Sequence, residues 1–139
     1  MATVIRPEIS TKNKYYIDKH RYYELKHFCL QYLTWKRTYK ALDELHIGTS
    51  KFENIPTSDN VIDITAKHAI RKAHYAERIE LIEKVAMDAD EVLYIYILKA
   101  VTEGLSYTYL RTKLGIPCGR DMYYDRYRKF FWLLSNARN

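Results

Sequence analysis

An all-α fold is predicted for this chain by three observations: a long apolar stripe at helical spacing in its first third, a second stripe in its middle, and a shortage of turn-forming residues. The first stripe is Leu25, Phe28, Tyr32, Trp35, Tyr39 and Leu42, stepping by 3, 4, 3, 4 and 3; this is one face of an α-helix. The second is Ala69, Ala73, Ala76, Ile79, Ile82 and Ala86, whose small side chains let a neighbouring helix approach closely. With only 4 glycines and 3 prolines in 139 residues, a turn-rich sheet protein is excluded.

In chain order, residues 1–17 carry Pro7, Ser10, Thr11 and Asn13 without a sustained period and read as an N-terminal arm. The first helix is expected from about Asp18 to Leu45. Its stripe has a 3.5-residue mean step, which suits a paired helix of the same chain or, as a homodimer seam, a second copy. Gly48 to Asn60, with Pro56 and Thr57-Ser58-Asp59, reads as a loop near 46–62. Asp63 or a neighbour then caps a second helix to about Asp88, and the two long helices form an antiparallel hairpin over 18–88. The run Val92-Leu93-Tyr94-Ile95-Tyr96-Ile97-Leu98 is β-prone in composition, yet it continues to Gly104, a suitable helix C-cap. A buried helix is expected there, opening a C-terminal module over 89–139.

Charge is unevenly placed. The total is +6, but residues 1–50 carry +4, residues 51–104 carry −3 and residues 105–139 carry +5. A basic tail behind an acidic middle points to a polyanionic partner for that tail, since Lys and Arg contacts to phosphate supply most non-specific nucleic-acid affinity. No apolar run approaches the roughly 20 residues needed to cross a bilayer, and the opening Met1-Ala2-Thr3-Val4-Ile5-Arg6-Pro7 lacks the order of a signal peptide. A cytoplasmic protein with no membrane partner is expected. Cys29 and Cys118 are isolated and read as free thiols. The histidines lack ligand spacing, so neither a metal nor any other cofactor is expected.

The C-terminal module holds the residues with recognisable chemistry. The segment Leu105 to Leu114 can form a short helix in which Ser106 caps the N-terminus and Leu110 and Leu114 share a buried face. Gly115 ends it, Ile116 plugs the core, and Pro117-Cys118-Gly119 supplies a sharp turn. A last helix, about Arg120 to Ser135, turns Tyr123, Tyr127, Phe130 and Leu134 inward, leaving Arg120, Tyr124 and Arg128 on an outer face. This order is that of a helix-turn-helix, whose second helix enters the major groove by its first turn. Arg120 has the chemistry to pair with guanine and Asp121 to accept from cytosine, with Tyr124 beside them. Arg111, Lys113, Arg126, Arg128 and Lys129 read as phosphate contacts. Asp121 has a competing role as the first-turn acid that favours the helix dipole.

The segment from Glu103-Gly104-Leu105-Ser106-Tyr107 through Leu114-Gly115-Ile116-Pro117 to Met122-Tyr123-Tyr124-Asp125-Arg126-Tyr127-Arg128-Lys129-Phe130-Phe131 resembles phage late-gene transcription regulators of the ArpU/RinA type. Asp63-Ile64-Thr65 and Ile79-Glu80-Leu81-Ile82-Glu83 extend the likeness more weakly upstream. The resemblance implies a module similar to region 4 of bacterial sigma factors, double-stranded DNA as partner, and control of late genes in a phage or prophage. It places Tyr123-Tyr124 at the entry of the DNA-reading helix and Arg128-Lys129 in its basic continuation. The turn Ile116 to Asp121 is one or two residues longer than the common spacing, and Cys118-Gly119 stands where a Ser or Thr cap is usual.

Two other non-enzymatic functions fit the same elements: a helical adaptor acting on host RNA polymerase, and a small terminase-like DNA-packaging component. An enzyme is not expected. The chain has no G-x-S-x-G, P-loop, G-x-G-x-x-G or H-E-x-x-H, and Glu77, Glu80 and Glu83 lie on neighbouring helix-surface positions with Arg78 and Lys84 beside them.

Overall fold

The computed structural model describes the backbone of residues 12–50 and 59–138, and the side chains of those residues except 46–50 and 59–62. Among them are six helices: α1 (Lys19–Leu30), α2 (Tyr32–Ser50), α3 (Asp59–Ala89), α4 (Tyr94–Glu103), α5 (Tyr107–Lys113) and α6 (Arg120–Ala137). No strand occurs among the described residues, and the chain is all-α. None of the described helices is long and apolar enough to cross a membrane.

The expected helix from Asp18 to Leu45 is two helices. Asp18 caps α1, its carboxylate accepting from the His20 N–H at 2.9 Å. At Gln31 the N–H turns to the Phe28 carbonyl at 3.2 Å, three residues back, and the side-chain amide takes the His27 carbonyl. The backbone stays right-handed at Gln31, φ −86° and ψ −6°, and the hydrogen-bond ladder tightens there to a three-residue bond. Neither glycine nor proline marks it.

The interval between α2 and α3 is also shorter than expected. α2 continues through Gly48 to Ser50 and α3 begins at Asp59, so Asp63 lies inside the helix instead of capping it; Pro56, Thr57 and Ser58 lie outside the described residues, as do Pro7, Ser10 and Thr11 of the expected arm. The remainder of that arm is ordered by contacts: Asn13 closes a turn on the N–H groups of Tyr15 and Tyr16, Tyr15 meets Trp132 at 5.7 Å, and Ile17 is buried.

Residues up to Gln31 and from Leu81 form one compact unit, and Tyr32–Glu80 a second. This division differs from the expected one at residues 88/89, because α1 packs on α4 and α6. In the second unit, α2 and α3 run antiparallel: Arg78 lies over Trp35 at 5.4 Å, Lys72 over Tyr39 at 5.1 Å, and Lys72 pairs with Asp43 at 2.6 Å. The alanine stripe of α3 is less covered than its spacing suggests, with Ala69 and Ala73 exposed and only Ile82 and Ala86 buried. The aromatic stripe, by contrast, is closed. Leu25, Phe28, Tyr32, Trp35 and Leu42 are buried and Tyr39 is half-buried.

The core of the first unit is aromatic. Phe131 meets Tyr22 at 5.0 Å, Tyr127 at 4.9 Å and Phe130 at 5.0 Å, all edge-on, a geometry that suits ring quadrupoles. Around them lie Leu25 and Cys29 of α1, Ile82, Val85 and Ala86 at the end of α3, and Ile97 and Val101 of α4. Arg21 ties α1 to the far end of α6, donating to the Ser135 hydroxyl at 3.1 Å and to the Ser135 and Arg138 carbonyls. Arg138 returns to α1 over the Phe28 ring at 3.8 Å. Cys29 and Cys118 are both free thiols; burial pushes each thiol up, joined at Cys118 by the Asp90 charge, while Arg138 and Arg111 respectively oppose the shift.

Candidate nucleic-acid interface

α4 ends at Gly104, whose φ of +70° is a left-handed conformation that side chains resist. Ser106 then caps α5, its hydroxyl accepting from the Tyr109 N–H at 3.2 Å, and the chain from Leu114 to Gly119 leads into α6. Two hydrogen bonds and one left-handed glycine fix this connection. Ile116 is 2% exposed and its N–H reaches the Leu110 carbonyl at 3.1 Å. Gly115 takes φ +65° in open space. The buried Tyr107 donates its hydroxyl to the Cys118 carbonyl at 2.8 Å, so α5 holds the residue that immediately precedes the N-cap of α6.

Of the expected inward face of α6, Tyr123, Phe130 and Leu134 are buried and Tyr127 is half-buried, with Phe131 buried beside them. The expected outer face needs correcting. Arg120 is exposed, but its guanidinium stacks over Tyr107 at 5.3 Å, and Tyr124 is half-buried between Tyr107 at 6.3 Å and Tyr123 at 5.0 Å. Burial pushes the Tyr124 hydroxyl up, and Arg120 opposes the shift. Arg128 continues this flank, half-buried, with its Nε enclosed and without a hydrogen-bond partner. Arg120 and Tyr124 therefore pack toward α5 as much as they face outward.

Arg126, expected at phosphate, is committed elsewhere. It donates from Nε to Asp90 at 3.0 Å and from a terminal nitrogen to Asp125 at 2.8 Å. Arg111 and Lys113 are exposed at the end of α5 and Lys129 is half-buried on α6; among the described residues none of the three forms an ion pair. Asp121 is exposed in the first turn of α6. Beside it stands Met122, 48% exposed, which periodicity alone did not single out.

Asp90 was also invisible in the sequence, and it organises this module from behind. One carboxylate oxygen accepts from the Val92 and Leu93 N–H groups, both at 2.8 Å, and the other holds Arg126. Burial works to raise its pKa, but the two backbone bonds and Arg126 outweigh it and hold the carboxyl below the usual range. A lowered folded pKa contributes stability above the unfolded carboxylate value of about 3.9 and loses it as pH falls through the folded value. Asp90→Ala is accordingly expected to cost about 1.5–3 kcal/mol at neutral pH, the worth of charge-assisted bonds. Urea unfolding at several pH values tests this: a gap between variant and parent that fails to narrow in acid would contradict it.

Among the described residues no cluster of three or more His, Cys, Asp or Glu side chains could hold a metal ion. Comparison with protein-family models, with curated proteins and with solved structures finds no match to the chain.

Proposed function

We propose that the chain is a sequence-specific, duplex-DNA-binding transcription regulator, a non-enzymatic cytoplasmic protein of the phage late-gene kind. One observation carries this reading: a short helix and a longer one are joined by a turn anchored on the buried Ile116, and the residues flanking that turn present Arg111, Lys113, Arg120 and Asp121 to solvent. A helix pair of this order offers its second helix to the major groove by the first turn while flanking cations hold phosphate. The stacking of Arg120 on Tyr107 fixes the guanidinium before binding, which spares part of the side-chain entropy that binding otherwise costs.

A second reading, an adaptor for host RNA polymerase, is favoured by a different surface. Met87, Val92 and Ile95 are 50%, 72% and 57% exposed close together in sequence, next to the exposed acids Asp88 and Glu91. Exposed apolar clusters of this sort mark protein contacts.

The test is binding of the full chain to duplex fragments from around its own gene, with competitor DNA, across a salt series. One preferred fragment is expected. Replacing Arg111 and Lys113 together with alanine should reduce the slope of log affinity against log salt by about 1.8, two phosphate contacts' worth. Arg120→Ala should lower the preference for that fragment by roughly tenfold or more. An affinity that is absent, or indifferent to salt, overturns the DNA reading in favour of the adaptor.

A further inference from the structure

We infer that Met122 reads the 5-methyl group of a thymine in the major groove; the inference rests on the DNA-binding reading and specifies what the first turn of α6 recognises. Helical geometry sets Met122, Arg126 and Lys129 along one strip, at i, i+4 and i+7, with Asp125 beside it. On that strip the charges nearest Met122 are withdrawn. Arg126 is pulled back to Asp90 and Asp125, and the same bond occupies the Asp125 carboxylate. Arg120, two residues earlier, is stacked on Tyr107 and lies on the flank toward α5. At the first turn Asp121 and Met122, an acceptor and an apolar group side by side, are exposed next to Arg120.

Met122 is 48% exposed beside the buried Tyr123, so an apolar side chain stands in water in the first turn of α6. The exposed thioether chain is flexible and polarizable and adapts to irregular apolar surfaces. In the major groove the apolar feature that distinguishes one base pair from the others is the thymine methyl. An acceptor at Asp121 beside it suits an exocyclic amine of cytosine on the neighbouring pair.

The experiment is a double-mutant cycle on the preferred duplex found for the full chain. Each thymidine is exchanged in turn for deoxyuridine, which removes only the methyl, and the parent is compared with Met122→Ala and Met122→Leu. One thymine is expected at which the exchange weakens the parent about fourfold, the worth of one buried methyl group, and leaves Met122→Ala unchanged; Met122→Leu keeps the sensitivity. If a preferred duplex exists but every exchange affects parent and Met122→Ala equally, the methyl contact is wrong and the DNA reading stands. If no duplex is preferred, both fall.

Discussion

Alanine in place of Phe131 is expected to lower the unfolding free energy by about 3–5 kcal/mol, the range for removing a buried aromatic ring. The ring is 0% exposed, and it joins α1 to α6 through Tyr22 while touching Phe130 and Tyr127 on its own helix. Each edge-on pair contributes about 0.5–1.5 kcal/mol beyond the area it buries. Set against the roughly 5–15 kcal/mol that holds an ordinary domain together, the loss is a large fraction of the total. Chemical denaturation followed by circular dichroism measures it. Phe131→Leu, which keeps most of the volume, should lose markedly less; equal losses would show that the edge-on contacts and ring volume contribute little.

The second large effect is at alkaline pH. Tyr22 and Tyr127 share a hydrogen bond of 2.7 Å between their hydroxyls. Burial first, and then the proximity of Tyr22, pushes the Tyr127 hydroxyl well above its ordinary range; part of Tyr127 remains accessible, but its hydroxyl is the enclosed end. Tyr123 is pushed up as well, by burial and then by Tyr124. A raised folded pKa means that the stabilisation is fully present below the unfolded value of about 10 and is lost as pH rises above it. With two such groups the loss approaches about 2.7 kcal/mol for each pH unit beyond 10. Phenolate absorbance should therefore rise in two phases, the later one together with loss of helical dichroism. Tyr127→Phe should move that later phase to higher pH. Ionisation of all 14 tyrosines in one phase with helix intact would contradict the burial of this pair.

The parts of the fold that follow from short-range chemistry were legible in the sequence. The buried stripe of Leu25 to Leu42, the Gly104 terminus, the Ser106 cap and the Ile116 plug each depend on residues within a few positions of one another. The turn at Gln31 was not legible, because its break is a three-residue hydrogen bond that many side chains permit. The extent of burial along α3 was also hidden: periodicity shows which face an alanine stripe occupies, not whether another element reaches it. At the candidate interface, the charges could be counted but their commitments could not. Arg126 was indistinguishable from Arg111 until Asp90, 36 residues away in the chain, proved to hold it, and the attachment of Arg120 to Tyr107 depends on how the intervening turn folds back.

The clasp between α1 and the end of α6 bears on how the protein is made. Arg21 finds Ser135 across a separation of 114 residues and the Arg138 carbonyl across 117. At a synthesis rate of about 5–20 residues per second, Arg21 is joined to the chain roughly 6–23 seconds before Ser135. Throughout that interval Tyr22, Leu25 and Phe28 have no α6 to cover them. Chaperones that bind apolar segments on nascent chains have their longest opportunity at this helix, and the first unit can close only when synthesis has reached the last turn of α6.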